Sequence, residues 1–367
     1  MKKIVICGGH LTPALALIEE LQKKEDLAII FFGRKYATEG SNSLSAEYKS
    51  ISAVGIKFYK ISAGRIQRKF TKYTLGSFLK IPIGFIQSLF YLLKVQPDLI
   101  VSFGGYLSAP VVFASWLIGI DSVTHEQSTV PGLATKINSL FTKKILLTWY
   151  QSADFFSKEK SQVIGNLTRR SIFQKSAKDT RIQKFIKSSR RLMFITGGNQ
   201  GSHFINTLIF NLLPQLKNYQ IVHQIGTANF QGDLDKARKV KRRNYLAVDY
   251  LDTDNIGPVF ARSNLVVARS GANTVWDLAI LGKVAILIPL PHAASGEQEA
   301  NAQILEKAGS AIILNQKDLT PQILKQKINY MLKNLPKFQK AAQAFAKTLP
   351  KSAGQILTSE ILKIIED

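Results

Sequence analysis

The sequence predicts an α/β protein of two domains, each a parallel β-sheet wound with helices on both faces. Three observations predict it. Short β-rich runs alternate with helical patterns from one end of the chain to the other, an order that calls for parallel sheets with both faces covered. A glycine-rich turn between a strand pattern and a helical one occurs once in each half. The length of 367 residues leaves room for two cores.

The strand patterns of the first half fall at 3–6, 28–32, 57–61, 99–102, 122–124, 145–147 and 162–164. Those of the second half fall at 192–196, 220–223, 245–248, 265–268, 285–288 and 311–314. The stretch 165–191 is polar, with Ser, Lys and Arg replacing the apolar pattern, and it marks the expected boundary. The expected division is therefore 1–164, 165–350 and a C-terminal helix over 351–367 that packs back, with apolar positions at Ile356, Leu357, Ile361, Leu362 and Ile365. Residues 99–120 carry no charge and are long enough to span a bilayer. Gly104, Gly105 and Pro110 interrupt them, so a buried strand, a glycine loop and a buried helix over 110–117 fit better.

Composition narrows the class. A hydrophobic content of 46% is that of a globular protein. Cys7 stands alone, which excludes a disulfide framework and a cysteine-based metal site. His10, His125, His203, His223 and His292 show no metal-binding spacing, so neither a metal nor another cofactor is expected. Met1-Lys2-Lys3 leads directly into a strand pattern without the apolar stretch of a signal peptide, so a cytoplasmic chain is expected.

The formal net charge of +24 suits an anionic surface, lipid or nucleic acid, and equally a general lysine bias. No zinc-finger spacing or RNA-binding aromatic motif is present, so no nucleic-acid partner is expected. Arg65, Arg68, Lys69 and Lys72 precede an apolar stretch that runs from Leu75 to Ile86 and resumes at Leu89. That pairing fits a peripheral membrane patch, and it also fits a core helix with a solvated flank.

The two turns carry the chemistry. Ile4-Val5-Ile6-Cys7-Gly8-Gly9-His10 runs into Leu11-Thr12-Pro13-Ala14, and Thr196-Gly197-Gly198-Asn199-Gln200-Gly201-Ser202 runs into Phe204-Ile205-Asn206. Each arrangement aims backbone N–H groups and the positive helix end at an anion, usually phosphate. Two of them suggest two domains facing one cleft, with ligands beyond the carboxyl ends of the strands.

Seven stretches in order resemble the MurG family of cell-wall glycosyltransferases. They are Gly8-Gly9-His10-Leu11-Thr12-Pro13-Ala14, Phe103-Gly104-Gly105-Tyr106-Leu107-Ser108-Ala109-Pro110, His125-Glu126-Gln127, Gly165-Asn166-Leu167-Thr168-Arg169, Gly197-Gly198-Asn199-Gln200-Gly201, Arg269-Ser270-Gly271-Ala272-Asn273-Thr274-Val275, and Gln298 near Asn301-Ala302. The resemblance implies the GT-B architecture, two Rossmann-like domains with the acceptor and membrane on the first and the UDP-sugar on the second. It implies inverting, metal-independent transfer of N-acetylglucosamine from UDP-N-acetylglucosamine to the muramyl 4-hydroxyl of undecaprenyl-pyrophosphoryl-MurNAc-pentapeptide. The implied location is the cytoplasmic face of the cell membrane, peripherally held by an anionic lipid surface and close to other cell-wall synthesis proteins.

Site residues follow from the same resemblance. His10 and Glu126 are the candidates for the acid–base role. His10 opens a helix, whose dipole favours the neutral imidazole that can accept a proton. Arg169 has a guanidinium suited to the donor phosphate, and the turn with Asn199, Gln200 and Gly201 stabilises the leaving pyrophosphate. Leu251 falls where a backbone group meets uracil, Asp277 where a carboxylate meets the ribose hydroxyls, and Gln298 where the sugar hydroxyls bind. Gly8, Gly9, Ser128, Ala272, Asn273 and Thr274 complete the implied donor contacts, and Thr12 and Tyr106 the acceptor contacts. Taken singly, Arg169 reads as a solvated linker arginine, Glu126 as a partner for backbone amides, and Asp277 as a first-turn aspartate favouring its helix dipole.

The chain departs from the family pattern in four places. The first loop is shorter than the usual Gly-Gly-Thr-Gly-Gly-His, with Cys7 at the threonine position. Ser128 replaces asparagine, Asn199 replaces serine, and Asp277 replaces glutamate. The short loop leaves room for two alternatives, a related transferase with another sugar or acceptor and a non-catalytic UDP-sugar-binding paralogue.

Overall fold

A computed structural model describes residues 1–36, 43–62, 64, 74–291 and 296–366, with the backbone alone over 74–80. The chain forms two compact units, Met1–Arg169 with Pro350–Asp367, and Arg170–Leu349.

The first unit holds strands β1 (Lys2–Cys7), β2 (Leu27–Gly33), β3 (Lys57–Lys60), β4 (Leu99–Ser102), β5 (Ser122–Glu126), β6 (Lys144–Leu147) and β7 (Ser161–Val163). They form one seven-stranded sheet in the order β3-β2-β1-β4-β5-β6-β7, and every pairing is parallel. Helices α1 (Leu11–Leu21), α2 (Ala46–Ala53), α3 (Thr74–Val95), α4 (Ser108–Leu117) and α5 (Leu133–Phe141) make the crossovers. Alternation along β1 sets the two faces. Ile4 and Ile6 pack with Leu17 of α1, whereas Val5 and Cys7 pack with Leu92 of α3 and Val111 of α4. Each such side chain removed from water contributes about 1.5–3 kcal/mol. Cys7 therefore lies in the core, where burial pushes its thiol well above its usual range and makes it unreactive.

Residues 99–120 fold as β4, the turn at Gly104 and Gly105, and α4, and among the described residues no helix is long and apolar enough to cross a membrane. The segment Gly165–Arg169 stays with the first unit. Ile164 and Gly165 both donate their N–H groups to the Leu147 carbonyl, and Leu167 enters the core beside Ile6.

The second unit holds β8 (Leu192–Thr196), β9 (Gln220–Gln224), β10 (Tyr245–Val248), β11 (Leu265–Ala268), β12 (Ala285–Leu287) and β13 (Ala311–Ile313). They form a six-stranded sheet, again parallel throughout, in the order β10-β9-β8-β11-β12-β13. Its helices are α6 (Thr180–Ile186), α7 (His203–Leu212), α8 (Asp233–Lys239), α9 (Thr253–Arg262), α10 (Ala272–Ile280), α11 (Glu297–Lys307), α12 (Pro321–Lys333) and α13 (Leu335–Thr348). The chain then returns to the first unit as α14 (Ala353–Glu366). Leu357, Ile361, Ile364 and Ile365 of α14 join the cluster of Ile4 and Leu17, and Glu360 pairs with Lys144.

In each sheet the strand order reverses beside the first strand, between β1 and β4 and between β8 and β11. Ligands of open parallel sheets bind beyond the carboxyl ends of the strands at such a reversal. All the glycine motifs except the one at Gly165 lie there.

Candidate active site

In the first unit the turns after β1 and β4 interlock. Gly9 donates its N–H to the Gly104 carbonyl at 2.9 Å, and Phe103 donates to the Cys7 carbonyl at 2.8 Å. Gly8 has φ +131°, and a Cβ there would stand 2.8 Å from the Gly104 oxygen and from the Phe103 carbonyl carbon. Only glycine meets both demands, a positive φ and a backbone approach this close.

This crossing sets His10, the residue that precedes the first helical turn of α1. Its Nδ1 lies 2.7 Å from the Phe103 carbonyl oxygen. A carbonyl only accepts, so Nδ1 carries the proton, and in the neutral ring Nε2 carries the lone pair. The ring is half-buried.

Glu126 ends β5 and is 4% exposed. It accepts the Ser128 N–H at 3.0 Å on one oxygen and the Gly132 N–H at 3.2 Å on the other. The Thr135 hydroxyl is a third donor. Burial raises its carboxyl above the usual range, against the pull of these donors and of the neighbouring His10. Gly104 makes the cluster possible, because a Cβ on it would press on the Thr135 hydroxyl at 2.9 Å and reach 3.9 Å from His10 Nδ1. The structure thus brings His10, Gly104, Thr135 and Glu126 together, and Thr135 is a member that sequence reasoning missed. No motif marks a threonine in the first turn of α5.

His125, next to Glu126, is structural. It is buried, its Nε2 lies 3.1 Å from the Gly165 carbonyl, and burial pushes its pKa down to about 4. Thr12 sits half-buried in the first turn of α1, Tyr106 half-buried between the Gly105 turn and α4, and Ser128 is buried. Arg169 is half-buried at the end of the first unit.

In the second unit the turn after β8 is pinned by its carbonyls. Gln224 Nε2 donates to the Gly198 oxygen at 3.1 Å, Thr227 N–H to that of Asn199 at 3.0 Å, and Ala228 N–H to that of Gln200 at 3.3 Å. The peptides that carry the Gly198 and Asn199 oxygens thereby turn the N–H groups of Asn199 and Gln200 outward, the orientation that receives an anion, whereas the Gly201 N–H bonds back to the Gly198 carbonyl at 3.1 Å. Asn199 and Gln200 are exposed there. Gly201 and Gly226 both have positive φ, and a Cβ on Gly201 would overlap the Ile225 carbonyl oxygen while one on Gly226 would overlap the Gly201 backbone. Ser202 caps α7 by accepting the Ile205 N–H.

Arg269 follows β11 and is 8% exposed. Its guanidinium donates to the Ile288 and Pro289 carbonyls, to Ser202 Oγ at 2.9 Å and to Gln316 Oε1 at 2.7 Å. Burial pushes its pKa down to about 10. It ties the anion turn to the chain after β12, a role its place in the motif did not reveal.

Gly271 precedes α10, so Ala272, Asn273 and Thr274 form its first turn. Asp277 lies beyond that turn, half-buried, so the helix-dipole reading of this aspartate is wrong. Gln298 lies in the first turn of α11 and accepts the Leu290 N–H at 3.0 Å. Leu251 is buried, and its N–H donates to Gln224 Oε1 at 3.0 Å. Among the described residues no group of His, Cys, Asp and Glu could hold a metal ion.

Two parallel α/β units, each with a glycine turn at its strand-order reversal, have the topology of GT-B glycosyltransferases. Family comparison agrees. Residues 7–147 match the glycosyltransferase family 28 N-terminal domain, and residues 192–356 match the family 28 C-terminal domain.

The particular family follows from curated relatives. A UDP-N-acetylglucosamine--N-acetylmuramyl-(pentapeptide) pyrophosphoryl-undecaprenol N-acetylglucosamine transferase of Treponema denticola is 35% identical over 86% of this chain and 83% of its own length. One of the same name from Clostridium kluyveri is 30% identical over 100% of this chain and 99% of its own. The chain belongs to this family, MurG. The crystal structure of Acinetobacter baumannii MurG shares the fold, with a TM-score of 0.72 at 23% identity, covering 99% of this chain and 100% of that one.

Proposed function

We infer that the chain transfers N-acetylglucosamine from UDP-N-acetylglucosamine to the muramyl 4-hydroxyl of the undecaprenyl-pyrophosphoryl pentapeptide precursor, lipid I, to give lipid II. The observation that carries this reading is 35% identity to a transferase of that name over 86% of the chain.

The site geometry supports a division of labour. As the acceptor oxygen bonds to the sugar's anomeric carbon, its proton passes to Nε2 of His10, the nitrogen left over from the Phe103 contact. Glu126 has three donors on its carboxylate, so its part is to hold the loop over 127–132 and to offset charge on the imidazolium rather than to abstract the proton. The bond from the anomeric carbon to the diphosphate breaks with inversion, and its electrons go to UDP. The N–H edges of Asn199 and Gln200 and the guanidinium of Arg169 stabilise that charge. Asp277 holds the ribose, Gln298 the sugar and Leu251 the base. Gly8, Gly9, Ser128, Gly201, Ala272, Asn273 and Thr274 shape the donor site, and Thr12 and Tyr106 contact the acceptor.

Peripheral attachment to the cytoplasmic membrane face is supported by α3. Ile83, Ile86, Phe90 and Leu93 line one exposed stripe of it, while Leu92 is buried beneath. Arg65, Arg68, Lys69 and Lys72 lie outside the described residues, as do the side chains of Leu75, Phe78 and Leu79.

The test is product analysis with UDP-N-acetylglucosamine and a short-chain lipid I analogue. A β-1,4 disaccharide is expected. UDP-sugar binding with no disaccharide from this acceptor refutes the acceptor assignment.

A further inference from the structure

We propose that Ser102 and Asn138 are positioning residues that hold the peptide between Phe103 and Gly104 in the orientation His10 needs. The proposal rests on the reading of His10 as the base. The Phe103 carbonyl, whose oxygen lies 2.7 Å from His10 Nδ1, and the Gly104 N–H are the two ends of that one peptide. The Gly104 N–H donates to Ser102 Oγ at 3.2 Å. A peptide unit is planar, so whatever fixes its N–H end fixes its carbonyl end as well.

Glycine makes this control necessary. Gly104 has φ +63°, and glycine adopts negative φ about as readily. With no Cβ on Gly104 to oppose it, the peptide can turn over about its long axis. Turned over, it would offer His10 an N–H in place of a carbonyl. Nδ1 would then have to accept, and the ring proton would move to Nε2, the nitrogen assigned to proton transfer.

Ser102 and Asn138 are both 0% exposed. Asn138 Nδ2 donates to Ser102 Oγ at 3.0 Å and to Ser108 Oγ at 2.8 Å. The Ser108 hydroxyl donates in turn to the Gly105 carbonyl at 2.9 Å, so its oxygen must accept from Asn138, which fixes the polarity of the amide. One buried amide thus holds the turn twice, at the Gly104 N–H through Ser102 and at the Gly105 carbonyl through Ser108. Asn138 Oδ1 has no hydrogen-bond partner among the described residues, a cost to stability that an apolar side chain would avoid. The fold carries that cost at the one amide that braces the turn. Asn138 follows Thr135 by three residues in α5, so one face of this helix meets both Glu126 and the support of the Gly104 turn.

The experiment reads the His10 ring directly in the full chain, by long-range proton–nitrogen NMR spectra, alongside steady-state turnover. The His10 signals are assigned by their loss in His10→Gln. In the parent protein the neutral ring should carry its proton on Nδ1. Ser102→Ala removes the acceptor of the Gly104 N–H and should move the neutral ring toward the Nε2–H form. Its kcat should fall about 10- to 100-fold with KM for UDP-N-acetylglucosamine within about threefold, a split that general loosening does not produce. Asn138→Leu leaves Ser102 without its donor and should move both readouts in the same direction by less. It also supplies the test if Ser102→Ala does not fold. In a His10→Gln background neither substitution should lower kcat by more than about a further threefold. An unchanged His10 tautomer in a folded variant overturns the assignment of that residue, and a parent ring protonated on Nε2 overturns the whole proposal. So does an undiminished loss of kcat in the His10→Gln background. Full turnover by His10→Gln alone instead removes the base reading beneath the proposal, while the tautomer spectra still judge the positioning.

Discussion

The imidazole of His10 is held by the backbone of Phe103, with Nδ1 at 2.7 Å from the carbonyl oxygen. The two residues belong to turns that follow β1 and β4, adjacent strands at the reversal of strand order, so the contact depends on the parallel pairing of Cys7 with Ser102. One hydrogen bond thereby fixes both the ring's orientation and the nitrogen available for proton transfer.

Gly8→Ala should disturb that contact at its source. Alanine there would have to take up φ +131°, which its Cβ disfavours, and that Cβ would meet backbone atoms at 2.8 Å that cannot yield by rotating a side chain. A loss of about 2–3 kcal/mol in denaturant unfolding is expected, with a fall in turnover larger than the fraction unfolded explains.

Glu47 gives the first unit a pH-dependent stability. It is 8% exposed in the first turn of α2 and accepts the Arg34 N–H at 3.3 Å, and burial pushes its pKa from 4.5 up to about 7. A raised folded-state pKa favours the protonated form in the fold. The contribution is therefore full below about pH 4.5 and is lost as the pH rises to about 7. Up to about 3 kcal/mol is at stake, and Glu47→Gln should flatten the slope of unfolding free energy in that window. A parallel slope in the variant would assign the dependence to other groups.

Arg169→Ala should leave both units folded, because the residue is half-buried at the boundary and outside the two cores. If Arg169 holds the donor phosphate as proposed, its removal should cut kcat/KM for the donor by about 10- to 100-fold at constant acceptor KM. Normal turnover would remove it from the site.

Ile86→Asp with Phe90→Asp should lower recovery with anionic vesicles. Both side chains are more than half exposed, at 62% and 59%, so neither folding nor turnover on a soluble acceptor should change. Undiminished vesicle binding would move membrane attachment elsewhere on the surface.

The sheets were legible because buried parallel strands read as short runs of Ile, Val, Leu and Phe, and those at 99–102 and 192–196 are buried at every position. Strand order was not written in those runs, since it depends on which faces the helices cover. The glycine motifs were legible because Gly8, Gly104 and Gly201 answer backbone demands, a positive φ beside a close neighbour, that favour glycine. Thr135, Gln224 and the role of Arg269 were not legible because each depends on a contact that only the fold makes, with Glu126, Leu251 and Ser202 respectively. Only the alternative reading of Asp277, a first-turn aspartate favouring its helix dipole, fails, because α10 begins at Ala272 and leaves the residue beyond the first turn.

The most direct test of the account is turnover and UDP affinity of His10→Gln. Glutamine can still donate to the Phe103 carbonyl but cannot take up a proton at catalytic pH. The account predicts unchanged UDP affinity and a kcat reduced at least about 100-fold. A kcat within about threefold of the parent protein would contradict it and transfer the base role away from His10.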